Sequence, residues 1–152
     1  MSKTSRRISR MCLVQILYSR YFLSNNQNKE LFLDTFFVTK YRVQLDDKYI
    51  DDIISWVLDN SWTIAWTITK FAPRFTLNTI PAIHIAILAT AISEMFFIEE
   101  DIPKKVILNE AIELTKKYSD TKWKKFINWL LHKVLSLDIT EIQELKQDIK
   151  LF

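Results

Sequence analysis

The stretch Ile102–Val134, IPKKVILNEAIELTKKYSDTKWKKFINWLLHKV, decides the fold. Its apolar residues recur at three- and four-residue steps, the period of a helix with one buried face. Pro103 suits a first helical turn, with Asp101 just outside it, and the spacing predicts a helix running to Tyr118. Ser119 or Asp120 then caps a second helix carrying Trp123, Phe126, Ile127, Leu130, Leu131, Val134 and Leu135. Two amphipathic helices joined by a short polar turn make a helical hairpin.

Working outward, Ser5 to Ser24 predicts a helix on Ile8, Leu13, Ile16, Leu17 and Tyr21, ended by Ser24-Asn-Asn-Gln-Asn. Residues 30–39 fit either a short helix or, through Phe32, Phe36, Phe37 and Val38, a buried strand. Asp46 to Phe71 predicts one long helix with Tyr49, Ile53, Trp56, Val57, Ile64, Ile68 and Phe71 on its apolar stripe. Ala72-Pro73-Arg74 breaks the pattern, because proline is poor inside a helix. A very apolar helix follows from Asn78 to Phe97, with Pro81 in its first turn. Thr140-x-x-Gln143 resembles a capping box and predicts a last short helix over 139–150. The expectation is one all-α domain spanning 1–152: a basic first helix (1–24), a helical core (25–136) and the short C-terminal helix.

The chain has 152 residues, enough for one domain with a sizeable core, and contains no glycine. That absence excludes the P-loop, the dinucleotide fingerprint and the nucleophile elbow. It also leaves Asn25, Asn26, Asn28 and Asn78 as the substitutes expected at left-handed turns. The one cysteine, Cys12, permits no intrachain disulfide and fits a reducing cytoplasm. The start MSKTSRRISR has no long apolar run behind it, so no signal peptide is expected. Residues 80–98 approach the length of a membrane span, but Glu94 and His84 favour a buried core helix.

The net charge is only +3, yet it is unevenly placed. Lys3, Arg6, Arg7, Arg10 and Arg20 stand in the first twenty residues without an acid. Residues 104–133 hold eight lysines against Glu110, Glu113 and Asp120, while Asp46, Asp47, Asp51, Asp52 and Asp59 make the middle acidic. Two basic zones suggest a polyanion site if folding joins them.

Arg6 and Arg10 share a helix face, and guanidinium forks bind phosphates. The same residues also read as a solvated helix start, although positive charge there opposes the helix dipole. Lys122, Lys124 and Lys125 interleave with Trp123 and Phe126, a pattern that grips phosphates and stacks bases. By register with Leu130 and Val134, core is the better reading of both aromatics. Tyr18, near a helix end, reads first as a packing residue. Glu113 and Lys117 make an i,i+4 pair. His84 and His132 are isolated, with no nucleophile or metal-ligand pattern around them. Nothing converges on catalysis, and no cofactor or metal is expected.

With RRISRMCLVQILYS (6–19) beside the opening stretch, the chain resembles the NusB family of bacterial transcription antitermination and ribosomal-RNA processing factors. The resembling motifs are Gln15-Ile16-Leu17-Tyr18 for the family's QALY, Leu108–Lys116 for INEAVELAK, and Glu94 for the glutamate of YEL. The departures are Ala89 for an arginine, Ser93 for a tyrosine, and Ser119 and Trp129 for glycines. The resemblance implies a compact domain of about seven helices in two packed bundles. It implies binding of boxA-type single-stranded RNA together with NusE, a small-subunit ribosomal protein, within the RNA polymerase antitermination complex. It further implies RNA contacts from Arg6, Arg7, Arg10, Tyr18, Lys125 and Phe126. The alternative is a protein-interaction module of the same fold without boxA specificity. A membrane-associated helical protein is the remaining reading.

Overall fold

The computed structural model describes residues 4–23, 29, 32–33, 39–96, 102–137 and 151–152. Within them lie α1 (Arg6–Leu23), the single turn α2 (Thr39–Arg42), α3 (Asp47–Asp59), α4 (Trp62–Phe71), α5 (Ala82–Phe96), α6 (Lys104–Tyr118) and α7 (Thr121–Leu135). A 3-10 turn, Leu77–Thr79, precedes α5. No strand occurs among the described residues, as the all-α expectation requires. The C-terminal helix expected over 139–150, and most of the 30–39 segment, lie outside the described residues.

Local chemistry sets these boundaries. Ser5 caps α1, its Oγ accepting from the Ile8 amide at 3.2 Å. Asp46 caps α3 and Asp120 caps α7, each carboxylate accepting an amide three residues on. The single helix expected over 46–71 is instead two. Asn60 Nδ2 donates to the Trp56 carbonyl at 2.9 Å, and Ser61 Oγ to the Val57 carbonyl at 2.8 Å. These side chains take carbonyls at the junction and favour a break over continuation. The helix expected from Asn78 also starts later. Ile80 is extended (φ −98°, ψ 122°), because the following Pro81 disfavours helical backbone at the residue before it. The glycine-free helix ends need no left-handed residue: Asn60 and Ala72 close their helices at φ −132°, and Ser136 at −86°. Asn78 sits in the 3-10 turn, and Asn25, Asn26 and Asn28 lie outside the described residues.

Helix α5 is the centre. Every residue from His84 to Met95 is buried, so this helix has no polar face. One group packs α1 and α3 on it; the other packs α4, α6 and α7. The two bundles therefore share α5, and their apolar residues form one continuous core from Leu13 and Leu17 through Ile85 and Leu88 to Leu130 and Val134. Truncating a buried leucine such as Leu88 to alanine is expected to cost about 2–5 kcal/mol. Ala89 and Ser93 lie fully inside this core, where Ser93 Oγ donates to the Ala89 carbonyl. Both positions that depart from the resembled pattern are therefore core positions in this chain.

Candidate nucleic-acid interface

The basic start of α1 is built into an ion-pair chain. The Ser5 amide donates to the Gln44 carbonyl at 2.7 Å, and the Asp46 amide to Ser9 Oγ at 2.9 Å, so this end of α1 is fastened to the α3 cap. Arg6 then reaches Asp46 at 3.4 Å and lies 4.0 Å over the Tyr49 ring. Arg10 forks onto Glu94 of α5 with contacts of 2.8 and 2.9 Å. Arg7 forks onto Glu110 of α6 at 3.1 and 2.8 Å. Glu94 also stands 4.0 Å from Arg6, and Glu110 4.0 Å from Arg10. Three arginines of α1 are thereby tied to carboxylates at the α3 cap and on α5 and α6.

Their surroundings differ. Arg10 is 5% exposed. Burial alone would lower its pKa, but the Glu94 hydrogen bonds and charge outweigh it and raise it. The Arg7 side chain is 71% exposed, and its pKa is raised by the bond to Glu110. The expectation of three phosphate-gripping arginines meets a structure in which Arg10 is buried and forked onto a buried carboxylate. Withdrawing it would leave buried Glu94 with only the 4.0 Å contact to Arg6.

Tyr18 lies on the far half of α1, exposed, with Phe22 edge-on at 5.3 Å. Both line an open cleft of about 960 Å³ with Gln15, Pro81, Ile83 and Tyr118. Gln15 donates to the Tyr118 hydroxyl at 2.8 Å and joins α1 to α6.

Helix α7 carries Lys125, which is exposed, and Phe126, which is half-buried. Phe126 packs 4.8 Å from Phe75 and 5.5 Å from Trp123. Trp123 stacks on His84 at 4.8 Å, interplanar angle 21°. His84 is buried, with Nε2 2.8 Å from Ser119 Oγ and Nδ1 without a hydrogen-bond partner among the described residues. Burial holds its pKa below the ordinary value, against a weaker upward pull from Asp120. The expected placement of both aromatics against the core holds in part: each is half-buried and packs on the core edge.

The structure thus brings Arg6, Arg7 and Arg10 together, but sets Tyr18 at the other end of α1 and Lys125 and Phe126 on α7. Helix α6 links the two basic zones: the Glu113 pKa is lowered first by a hydrogen bond to Lys116, and further by Arg7 and Lys124. Glu113 pairs with Lys116 at 2.9 Å, in place of the i,i+4 partner Lys117 expected from sequence. Trp129, which the sequence reading names only as a departure from a family glycine, is exposed. Among the described residues no cluster of three His, Cys, Asp or Glu fits a metal ion, and no helix is long and apolar enough to cross a membrane. Cys12 is buried, which pushes its thiol up to about 12.

This architecture has close counterparts. The chain is 34% identical over 135 residues to the transcription antitermination protein NusB of Acetivibrio thermocellus, covering 88% of this chain and 90% of that one. It is 33% identical over 131 residues to the protein of the same name from Haemophilus influenzae (strain PittEE), covering 86% and 88%. The solved structure of T. maritima NusB superposes with a TM-score of 0.72 at 27% identity, covering 95% of this chain and all of that one. Residues 7–136 match the family model described as the NusB family, and the chain belongs to that family.

Proposed function

We propose that this protein is a non-catalytic transcription antitermination factor of the cytoplasm that binds boxA-type single-stranded RNA together with NusE. In this reading it joins the RNA polymerase antitermination complex during ribosomal-RNA transcription. Family membership supports the antitermination role. The observation that carries the RNA reading is Arg7: a guanidinium 71% exposed yet held in a fixed orientation by a bidentate carboxylate. Glu110 takes Nε and Nη2, and the remaining N–H groups of this exposed, already oriented guanidinium meet a phosphate with little ordering cost.

In this mechanism Arg7 and Lys125 supply the phosphate contacts. Tyr18 and Phe126 offer ring surface to unpaired bases, and Arg6 makes a partial contact from its place over Tyr49. Arg10 holds the arginine-rich start against α5 as a positioning residue. NusE completes the surface.

The test is binding of a boxA RNA across a salt series, with and without NusE, for wild type, Arg7→Ala and Lys125→Ala. Each lost phosphate contact is expected to flatten the salt slope by about 0.7 on single strands. The reading fails if wild type binds boxA no better than a scrambled RNA in either condition. One observation favours a second reading, the protein-interaction module: the α1 arginines are largely neutralised from within. That module captures NusE without RNA affinity.

A further inference from the structure

Trp129 is 43% exposed on α7, and a single exposed apolar residue is ordinary on a protein surface, so its surroundings decide its meaning. Lys125 stands one turn before it and Lys133 one turn after, both exposed, with Asn128 and His132 exposed beside it. Helix α7 contains no Asp or Glu from Thr121 to Leu135. Among the described residues no carboxylate pairs with Lys125 or Lys133.

The indole is also supported from behind. Its centroid lies 6.5 Å from Phe126, tilted by 37°, and Phe126 continues to Trp123 and Phe75. Trp123 in turn stacks on buried His84, so the row of rings is anchored in the core at one end and open to solvent at the other. A supported flat ring between cations is the arrangement that binds single-stranded nucleic acid: each base offers a π-face and each phosphate a charge. A protein partner fits less well, because lysine is depleted in the cores of protein interfaces and two lysines flank this ring.

We propose that Trp129 is a base-stacking position and that Lys125 and Lys133, about 12 Å apart along the helix axis, hold phosphates on either side of it. The single-stranded RNA site then extends along α7 beyond Phe126. This rests on the RNA-binding reading and adds to it a residue that sequence periodicity does not single out.

The test measures binding of a labelled, unstructured boxA RNA to wild type, Trp129→Ala, Trp129→Phe, Lys125→Ala/Lys133→Ala and Arg7→Ala, each over a salt series and each checked by thermal melting. Trp129→Ala is expected to weaken binding about fivefold or more with an unchanged salt slope. Trp129→Phe, which keeps a ring, restores most of the affinity. The double lysine variant flattens the slope by about 1.4. Wild-type affinity in Trp129→Ala, with Arg7→Ala weakened, overturns this proposal and leaves the parent reading standing. Absence of RNA binding by wild type overturns both. Loss of NusE binding in Trp129→Ala with RNA affinity intact makes α7 a protein-docking face and overturns the proposal.

Discussion

At the start of α1, Arg6, Arg7 and Arg10 meet Asp46, Glu110 and Glu94 at 3.4 Å or less. Along α7, Lys125 and Lys133 face solvent on either side of Trp129, on a helix without a carboxylate. Both zones are strongly basic in the sequence, and the fold uses that charge in two ways. In the first it fastens α1 to the α3 cap, α5 and α6; in the second it stays on the surface. The difference follows from the side chains. A guanidinium fork can be desolvated against a carboxylate with both hydrogen bonds made, whereas a lysine lays its stem on the helix and keeps its ammonium in water. Local charge therefore shows where a polyanion could bind only after internal pairing has been subtracted.

This contrast breaks most sharply at Arg10. Arg10→Ala leaves buried Glu94 with only the 4.0 Å contact to Arg6 and is expected to cost about 3–5 kcal/mol, seen as a large drop in the thermal midpoint. Replacing both partners together, Arg10→Met with Glu94→Leu, is expected to recover most of that loss. If Arg10→Ala melts like wild type, the pair is no clamp.

A smaller effect sharpens the role of Arg7. Arg7→Ala is expected to leave the melting curve nearly unmoved, since an exposed ion pair contributes little to stability, while weakening RNA binding at low salt. Glu110→Gln, which keeps Arg7 but loosens its fixed orientation, is expected to weaken RNA affinity less than Arg7→Ala does. Equal RNA affinity in both variants would separate Arg7 from the RNA surface.

The smallest expected effect concerns pH at the base of the aromatic row. Burial holds the folded His84 below its ordinary value, so below about pH 6.5 the unfolded chain binds a proton that the folded one resists. Stability is therefore fully present above that value and declines as pH falls through it. A thermal series from about pH 7 to about pH 5.5 is expected to show a shallower decline in His84→Gln than in wild type. Parallel declines would remove His84 as the source.

Much of the fold is legible in the sequence, because helical periodicity, Asp caps and prolines are local signals. The α6–α7 hairpin comes out with its Tyr118 boundary as expected, and of the two candidate caps, Ser119 and Asp120, it is Asp120 that caps α7. The break at Asn60-Ser61 escapes, because Asn and Ser are tolerated within helices and end one only when their side chains bond carbonyls a turn back. The delayed start of α5 was available from the rule that the residue before a proline avoids helical backbone. The candidate site is less legible. Arg6, Arg7 and Arg10 look alike in sequence, and their separation into an exposed fork and a buried clamp depends on Glu94 and Glu110, distant in the chain. The role proposed for Trp129 escapes because it rests on a row of rings whose anchoring runs through His84 and Phe75, again far in sequence.

The most direct test of this account is the salt dependence of boxA RNA binding in wild type, Arg10→Met/Glu94→Leu, and Lys125→Ala/Lys133→Ala. The account predicts a wild-type slope in the first variant, whose lost charges are internal, and a slope flattened by about 1.4 in the second. A flattened slope in the Arg10 variant beside an unchanged slope in the lysine variant would contradict it.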